Sequence, residues 1–301
     1  MKKYLWTFAI LTISTLADSS PNVKPVYRYA FYTLSTSAES LELLQHIKAQ
    51  VIATNRGDAI LQTNWTLPYE LTSKENGEMN LNELKKLHPL ENPEKIIISQ
   101  SNNGVTQLQM VDIESSKIEY KNSLPDSVSK SLLQDFYAYL DKKNIYLAIS
   151  ERKSSPSAPI KFSQLKAKYV AGEPIRFELE ATGDSYVYVV FIPESKSAEP
   201  LLLFPNPNQS VNYLKKGERI MIPENNLLLK ASPPYGHDKI KVFASKEEWT
   251  DFQFKNQKGE SFFKLLPPAL TGTKSVSLPD LMARTILNTQ VTEWDLEISP
   301  N

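Results

Sequence analysis

Hydrophobic and polar positions change period about halfway along the chain. In the first half, two segments repeat their apolar residues at helical spacing, with Val/Ile/Tyr-rich runs between them. VKPVYRYAFYTL (23–34) reads as a strand. SAESLELLQHIKAQVIA (37–53) puts Leu44, Ile47 and Val51 on one helical face, with Ser37 three residues before Ser40 at its start. GDAILQTNWTL (57–67) returns to extended structure, and LNELKKL (81–87) is a short helix stopped by His88-Pro89. EKIIISQ (94–100) and VTQLQMVDI (105–113) flank Asn102-Asn103-Gly104, and Asn-Gly suits the primed turn of a β-hairpin. A second turn at Ser115-Ser116 leads into 117–120. Residues 125–142 then predict an amphipathic helix capped by Asp126, with Val128, Leu132, Phe136 and Leu140 on its stripe.

The second half alternates instead. KYVAGEPIRFELEAT (168–182), DSYVYVVFIP (184–193), LLLFPNP (201–207), GERIMIP (217–223) and DKIKVFAS (238–245) are short and bounded by Gly, Pro or Asn. Such spacing predicts a β-sandwich or barrel. Within RFELE, Phe177 and Leu179 share one side and Arg176, Glu178 and Glu180 the other. SKEEW (245–249) has the capping-box pattern of a short helix, LPDLMARTIL (278–287) is another helix, and VTEWDLEI (291–298) is a closing strand. Between the halves, ERKSSPSAP (151–159) breaks both patterns with charge, Ser and Pro and reads as a linker. The expected fold class is therefore α+β in two domains. A mixed α/β domain occupies 21–150, the linker 151–159, and a β-sandwich-like domain 160–299.

Charge and composition narrow the function classes. Lys+Arg and Asp+Glu balance at 34 each, so no overall field draws the chain to nucleic acid or anionic lipid. Only nine glycines stand against twenty prolines, and neither the P-loop nor the dinucleotide-binding spacing occurs. The first twenty residues, MKKYLWTFAILTISTLADSS, hold two lysines, an apolar run from Tyr4 to Leu16 and then small residues. That order predicts a signal peptide over 1–17, cleaved after Ala17. A run of this length falls short of the roughly 20 residues that span a membrane, so no integral segment is expected after its removal. The chain contains no cysteine, which excludes disulfides, thiol nucleophiles, thiolate metal sites and lipoprotein anchoring. Export without disulfides points to a bacterial periplasm or envelope.

The runs GEPIRF (172–177), GDSYVYVVFI (183–192), LLFPNPNQSVNYLKKGERIMIP (202–223), ASPPYGHDKIKVFAS (231–245) and EWDLEI (293–298) together carry a resemblance. In their order and spacing, residues 160–298 resemble a bacterial domain of unknown function that follows caspase-like peptidases, Ser/Thr kinases or curli-secretion-like domains. That resemblance implies no catalytic residues. The order strand, helix, strand, short helix, hairpin with MVDIESSKIEY (110–120) and last helix loosely resembles the α/β domain of curli-secretion lipoproteins and of TolB-type N-terminal domains. Curli-secretion proteins begin with a lipidated cysteine and form a pore. This chain has no cysteine and departs from that first feature, so the resemblance implies neither the anchor nor the pore for it.

Candidate chemistry is sparse. Ser232, His237 and Asp238 lie close together in ASPPYGHDKIKVFAS, but a nucleophile, its base and an orienter converge from separate elements. Pro233-Pro234-Tyr235-Gly236 is turn chemistry, and Ile240, Val242 and Ala244 then alternate with Lys239, Lys241 and Ser245 as in a half-buried strand. His46, His88 and His237 sit in different elements with no paired ligand nearby, so no metal and no cofactor is expected. Two readings remain. The first is a non-catalytic envelope binding or assembly module with an envelope protein as its partner, for which Tyr186, Tyr188, Tyr213 and Tyr235 are candidate contacts. The second is an envelope hydrolase whose groups come from dispersed positions such as Asp184, Ser185 and His237.

Overall fold

The computed structural model describes residues 27–34, 37–54, 56–60, 93–125, 133–194, 199–224, 227–250, 253–255, 262–266, 285–286 and 288–300. The segments read as a signal peptide (1–17) and as a helix (81–87), and most of 278–287, lie outside the described residues.

The first half builds a five-stranded sheet. β1 (Tyr27–Thr33) is followed by helix α1 (Ala38–Ala53), β2 (Gly57–Ala59), β3 (Lys95–Asn102), β4 (Val105–Asp112) and β5 (Lys117–Pro125), in the order β2-β1-β3-β4-β5. β1 lies parallel to both neighbours, and β3, β4 and β5 form an antiparallel meander. Local chemistry explains the pieces. The Ser37 side chain accepts the Ser40 N–H at 3.2 Å and caps α1. Asn103 and Gly104 both take positive φ, 52° and 77°, as the primed turn requires. Alternation sorts β1: Tyr29 and Phe31 face the helices, while Ala30 and Tyr32 join Ile96, Ile98 and Val111 on the other side.

Helix α2 (Gln134–Glu151) then joins the two halves. Phe136 and Leu140 belong to the core under the first sheet, together with Leu44, Ile47 and Met110. One turn further on, Ile145, Ala148 and Ile149 pack with Tyr188, Val190, Phe243 and Val291 from the second half. The expected helix over 125–142 is thus corrected at both ends. β5 holds Pro125 in register with Val105, no side chain caps α2, and the helix runs nine residues beyond Lys142 because its later turns have a sheet of their own to cover. Asp126, the expected cap, lies outside the described residues. A buried pair fixes the middle of α2, where Arg56 meets Asp141 through two hydrogen bonds of 2.7 and 3.0 Å. The Asn144 amide donates to the Arg56 carbonyl at 2.6 Å beside it.

The second half is rich in strands: β6 (Ile160–Ser163), β7 (Lys168–Val170), β8 (Phe177–Ala181), β9 (Ser185–Ile192), β10 (Leu201–Phe204), β11 (Tyr213–Leu214), β12 (Arg219–Ile222), β13 (Gly236–Ser245), β14 (Gln253–Lys255), β15 (Phe263–Leu266) and β16 (Gln290–Ser299). An eight-stranded sheet runs β14-β15-β10-β9-β13-β16-β7 with β11 beside β9, and a three-stranded sheet runs β12-β8-β6. Phe177 and Leu179 of the small sheet bury against Val187, Val189, Ile240 and Val242 of the large one. The fold is therefore mixed α and β, mostly strand, with two helices among the described residues. Two expected elements differ. The 168–182 run divides at Gly172 (φ 84°) into β7 and β8, which enter different sheets. Residues 245–249 form no helix, because Trp249 is drawn into the core, where its ring stacks on Tyr188 at 4.0 Å.

The other face of the large sheet is also buried, which alters β13. Lys241 was expected on the solvent side of an alternating strand, yet only 2% of it is exposed. Its ammonium donates to the carbonyls of Ser150 and Arg152 at 2.6 and 2.5 Å, and Glu293 lies 3.3 Å away. The lysine thus satisfies carbonyls at the C-terminal end of α2, where the backbone has no acceptor-saturating partners of its own. The segment read as a linker continues from there along β16. Ser155 N donates to Val291 O at 2.6 Å, and the hydroxyls of Ser155 and Ser154 accept the N–H groups of Val291 and Glu293.

Lys241→Met keeps the apolar stem and removes the cap. Guanidinium unfolding should show a loss of about 1–3 kcal/mol, since two carbonyls and a carboxylate lose their donor. An unchanged midpoint would mean that packing alone holds the end of α2.

Candidate functional site

A cleft of about 860 Å3 opens where the first sheet, α2 and one end of the large sheet meet. The first sheet contributes Tyr27, Lys95, Asp112 and Glu119; α2 contributes Lys143, Tyr146, Leu147 and Glu151; the large sheet contributes Ile192, Glu194, His237 and Lys239. These residues are far apart in sequence. They converge because α2 packs on both sheets and leaves a gap between their edges.

Ion pairs form one wall. Lys95 and Asp112 face each other across the β3–β4 hairpin, and the Lys95 ammonium donates to Asp112 at 2.6 Å and to Glu119 at 3.0 Å. Glu119 also accepts from Lys143 of α2 at 2.8 Å, so the network ties sheet to helix. A register irregularity between Met110 and Val111, which leaves Glu119 as an extra residue in β5, turns that carboxylate toward the two lysines. The Tyr27 ring lies 4.6 Å from the Lys95 ammonium. Burial, reinforced by Glu119, Glu94 and Asp112, raises the Tyr27 hydroxyl above the ordinary phenol range. Burial also opposes ionisation of Asp112, but hydrogen bonds from Lys95 and Ser115 outweigh it and hold that carboxyl at about 2.

The opposite rim is built on a glycine. A side chain on Gly236, whose φ is +153°, would place its Cβ 1.8 Å from the Glu194 carboxylate. With no Cβ there, Glu194 lies over the strand end and accepts the His237 N–H at 2.8 Å. Next to it, Asp238 is buried, which raises its carboxyl, and it accepts the Glu194 N–H at 2.9 Å.

Among the described residues, six carboxylates and three lysines line the cleft. Every one of those lysines already has a carboxylate partner, Lys239 through Asp295 at 3.3 Å. The cleft is therefore net negative and interspersed with Tyr, Leu, Ile and Pro surface, a combination that attracts cations and offers them apolar contact. Among the described residues, no group of three or more His, Cys, Asp or Glu side chains is placed to hold a metal ion. Among them, too, no helix is long and apolar enough to cross a membrane.

The residues singled out from the sequence are scattered. His237 stands at the cleft rim, while Asp184 and Ser185 lie at the other end of β9, where Asp184 accepts the Lys216 N–H at 2.8 Å. The β9–β13 register puts about nine residues between Ser185 and the level of His237, or roughly 30 Å at about 3.3 Å per residue. These three groups do not converge. Among the aromatics, Tyr188 is buried, with the Trp249 ring stacked on its own and the Trp249 backbone N–H donating to its hydroxyl at 2.6 Å, so it offers nothing to a partner. Tyr186 and Tyr213 form an edge-to-face pair with centroids 4.9 Å apart on the β9–β11 border, and Tyr235 is exposed at the opposite end of the sheet. His46 is half-buried on α1, and His88 lies outside the described residues.

The cleft's charged groups escaped the sequence reading, although one signal for them was present. A two-residue turn at Asn103-Gly104 fixes the register of the hairpin, and counting outward from Asn102 opposite Val105 sets Lys95 opposite Asp112.

Because the folded Asp112 carboxyl sits near 2, below the usual value of about 3.9, its stabilisation is complete above about pH 5 and lost as pH falls toward 2. Asp112→Asn should cost about 2–3 kcal/mol in urea unfolding near pH 7, with the gap from the unmodified protein closing by about pH 2. A gap independent of pH would assign the cost to packing instead.

Residues 168–248, from β7 to the loop after β13, match the model of a family described as a domain of unknown function (DUF4384). That match is a similarity of the second half and stops short of β16, which nonetheless pairs along β13. No curated protein matches the chain.

Proposed function

We propose that the protein is a non-catalytic binding or assembly module of the bacterial cell envelope, exported by its N-terminal signal, and that it meets its partner in the cleft. The cleft itself carries this reading: elements from both halves enclose it, and its lysines are held in ion pairs rather than left free. Such a wall is preorganised for recognition. Asp184, Ser185 and His237 give the hydrolase alternative no support, since His237 stands at the opposite end of the sheet from the other two. The finer architecture belongs to the same reading: a curli-secretion/TolB-like α/β domain over 21–150, a β-sandwich-like domain over 160–299, and a docked connector between them. A fragment spanning 134–299, which keeps α2, tests that division. A cooperative melt supports two domains, and an unfolded fragment makes the halves one unit.

A photo-crosslinking residue placed at Leu147 in the cleft, or at Tyr213 on the aromatic border, tests the contact in the native envelope. Adducts from Leu147 are expected. Adducts from Tyr213 alone would move the contact to the aromatic border. Turnover of envelope peptides or glycans by the purified protein, with no adduct from either position, would overturn the proposal. Export is checked by sequencing the N-terminus of the native protein, which should begin within a few residues of Asp18; retention of Met1 refutes it.

A further inference from the structure

We infer that the cleft takes a basic peptide segment of the partner, with Lys or Arg side chains set among apolar residues; this rests on the cleft being the binding site. Charge complementarity is the first ground. Lys95, Lys143 and Lys239 are all engaged by carboxylates, so among the described residues no lysine of the cleft is left to meet a phosphate or carboxylate ligand. Asp112 and Glu119 are matched by Lys95 and Lys143, and Glu151 and Glu194 add two further carboxylates to the same lining.

The placement of Glu151 is the second ground. It is the last residue of α2, exposed into the cleft, and the last turn of that helix has no basic residue. A carboxylate at the negative end of a helix dipole is locally unfavourable, so helix stability does not account for it. Lys241 offsets part of that cost, but its ammonium donates to the Ser150 and Arg152 carbonyls, and Glu151 itself lines the cleft. Glu194 supplies a second carboxylate on the far rim, which the bare Gly236 makes room for. Tyr146 and Leu147 on the helix of Glu151, and Ile192 and Pro193 just before Glu194, add apolar surface to the same cleft for the stems of long cationic side chains. A small inorganic cation would need clustered carboxylates, whereas an extended basic peptide uses charges on opposite rims with apolar surface between them.

Fluorescence anisotropy on the mature full-length protein tests this with three labelled decapeptides alternating leucine with arginine, citrulline or glutamate. The arginine peptide should bind saturably and weaken as added salt shortens the Debye length from about 10 Å toward about 3 Å, and the other two should bind poorly. Glu151→Gln combined with Glu194→Gln should weaken the arginine peptide about five- to tenfold, since glutamine keeps the acceptor for His237 N–H but removes the charge. Glu247→Gln, at the far end of β13, should leave binding unchanged. If the double variant does not fold, the salt and peptide comparisons and the single Glu151→Gln variant still decide. Equal binding of all three peptides, or preference for the glutamate peptide, overturns the inference. No peptide binding alongside persistent Leu147 adducts overturns the basic-partner chemistry and leaves the cleft as the site. The loss of both overturns the two readings together.

Discussion

The structure depends on one helix serving two cores, and on the lysine that holds its end. Phe136 and Leu140 are spent on the first sheet and Ile145, Ala148 and Ile149 on the second, so α2 cannot leave one without exposing the other. Arg56 grips the middle of the helix through Asp141, and Lys241 of β13 closes its last carbonyls. Burying an ammonium is costly unless its donors are used, and here two carbonyls and a carboxylate accept them. The same contacts set the distance between the two sheets. The cleft is the space that distance leaves.

The charged groups facing this space are arranged in two ways. Along the first sheet they are paired and partly buried: Lys95 bridges Asp112 and Glu119, and Glu119 passes the connection to Lys143. Such a network positions its members rigidly, because moving any one of them strands a partner in a poorly solvated place. Along the far rim and at the end of α2, Glu194 and Glu151 are exposed and set the sign of the field. The proposed capture of a positively charged chain rests on this pairing of a rigid wall with open carboxylates.

The departures from the sequence reading share a cause. Alternation in β13 was read as one buried face and one wet face, and Lys239 and Lys241 were assigned to water together. Lys239 remains near solvent and pairs with Asp295, but Lys241 and Phe243 lie under α2. A strand covered on both faces no longer shows which polar residue points to water, and only the helix above it tells them apart. The Ser245-to-Glu248 pattern failed similarly: a capping motif is a local preference, and stacking of Trp249 on Tyr188 outweighed it. The dispersed set Asp184, Ser185 and His237 needed one shared end of the sheet, but strands β9 and β13 run antiparallel and carry the first two and His237 to opposite ends.

What the sequence determined by itself was local. Ser37 starts α1, Asn103-Gly104 makes the hairpin and thereby sets Lys95 against Asp112, and the alternation of Phe177 and Leu179 defines the inner face of the small sheet. Each follows from backbone preference or period over a few residues, and tertiary packing reinforced it. The length of α2, the burial of Lys241, the docking of 152–159 along β16 and the whole cleft were decided only by tertiary structure. They arise where residues far apart in sequence meet, as Lys241 meets Ser150 and Ser155 meets Val291. No local period records which face of a helix a distant sheet will cover, so the site became visible only when both sheets had closed on α2.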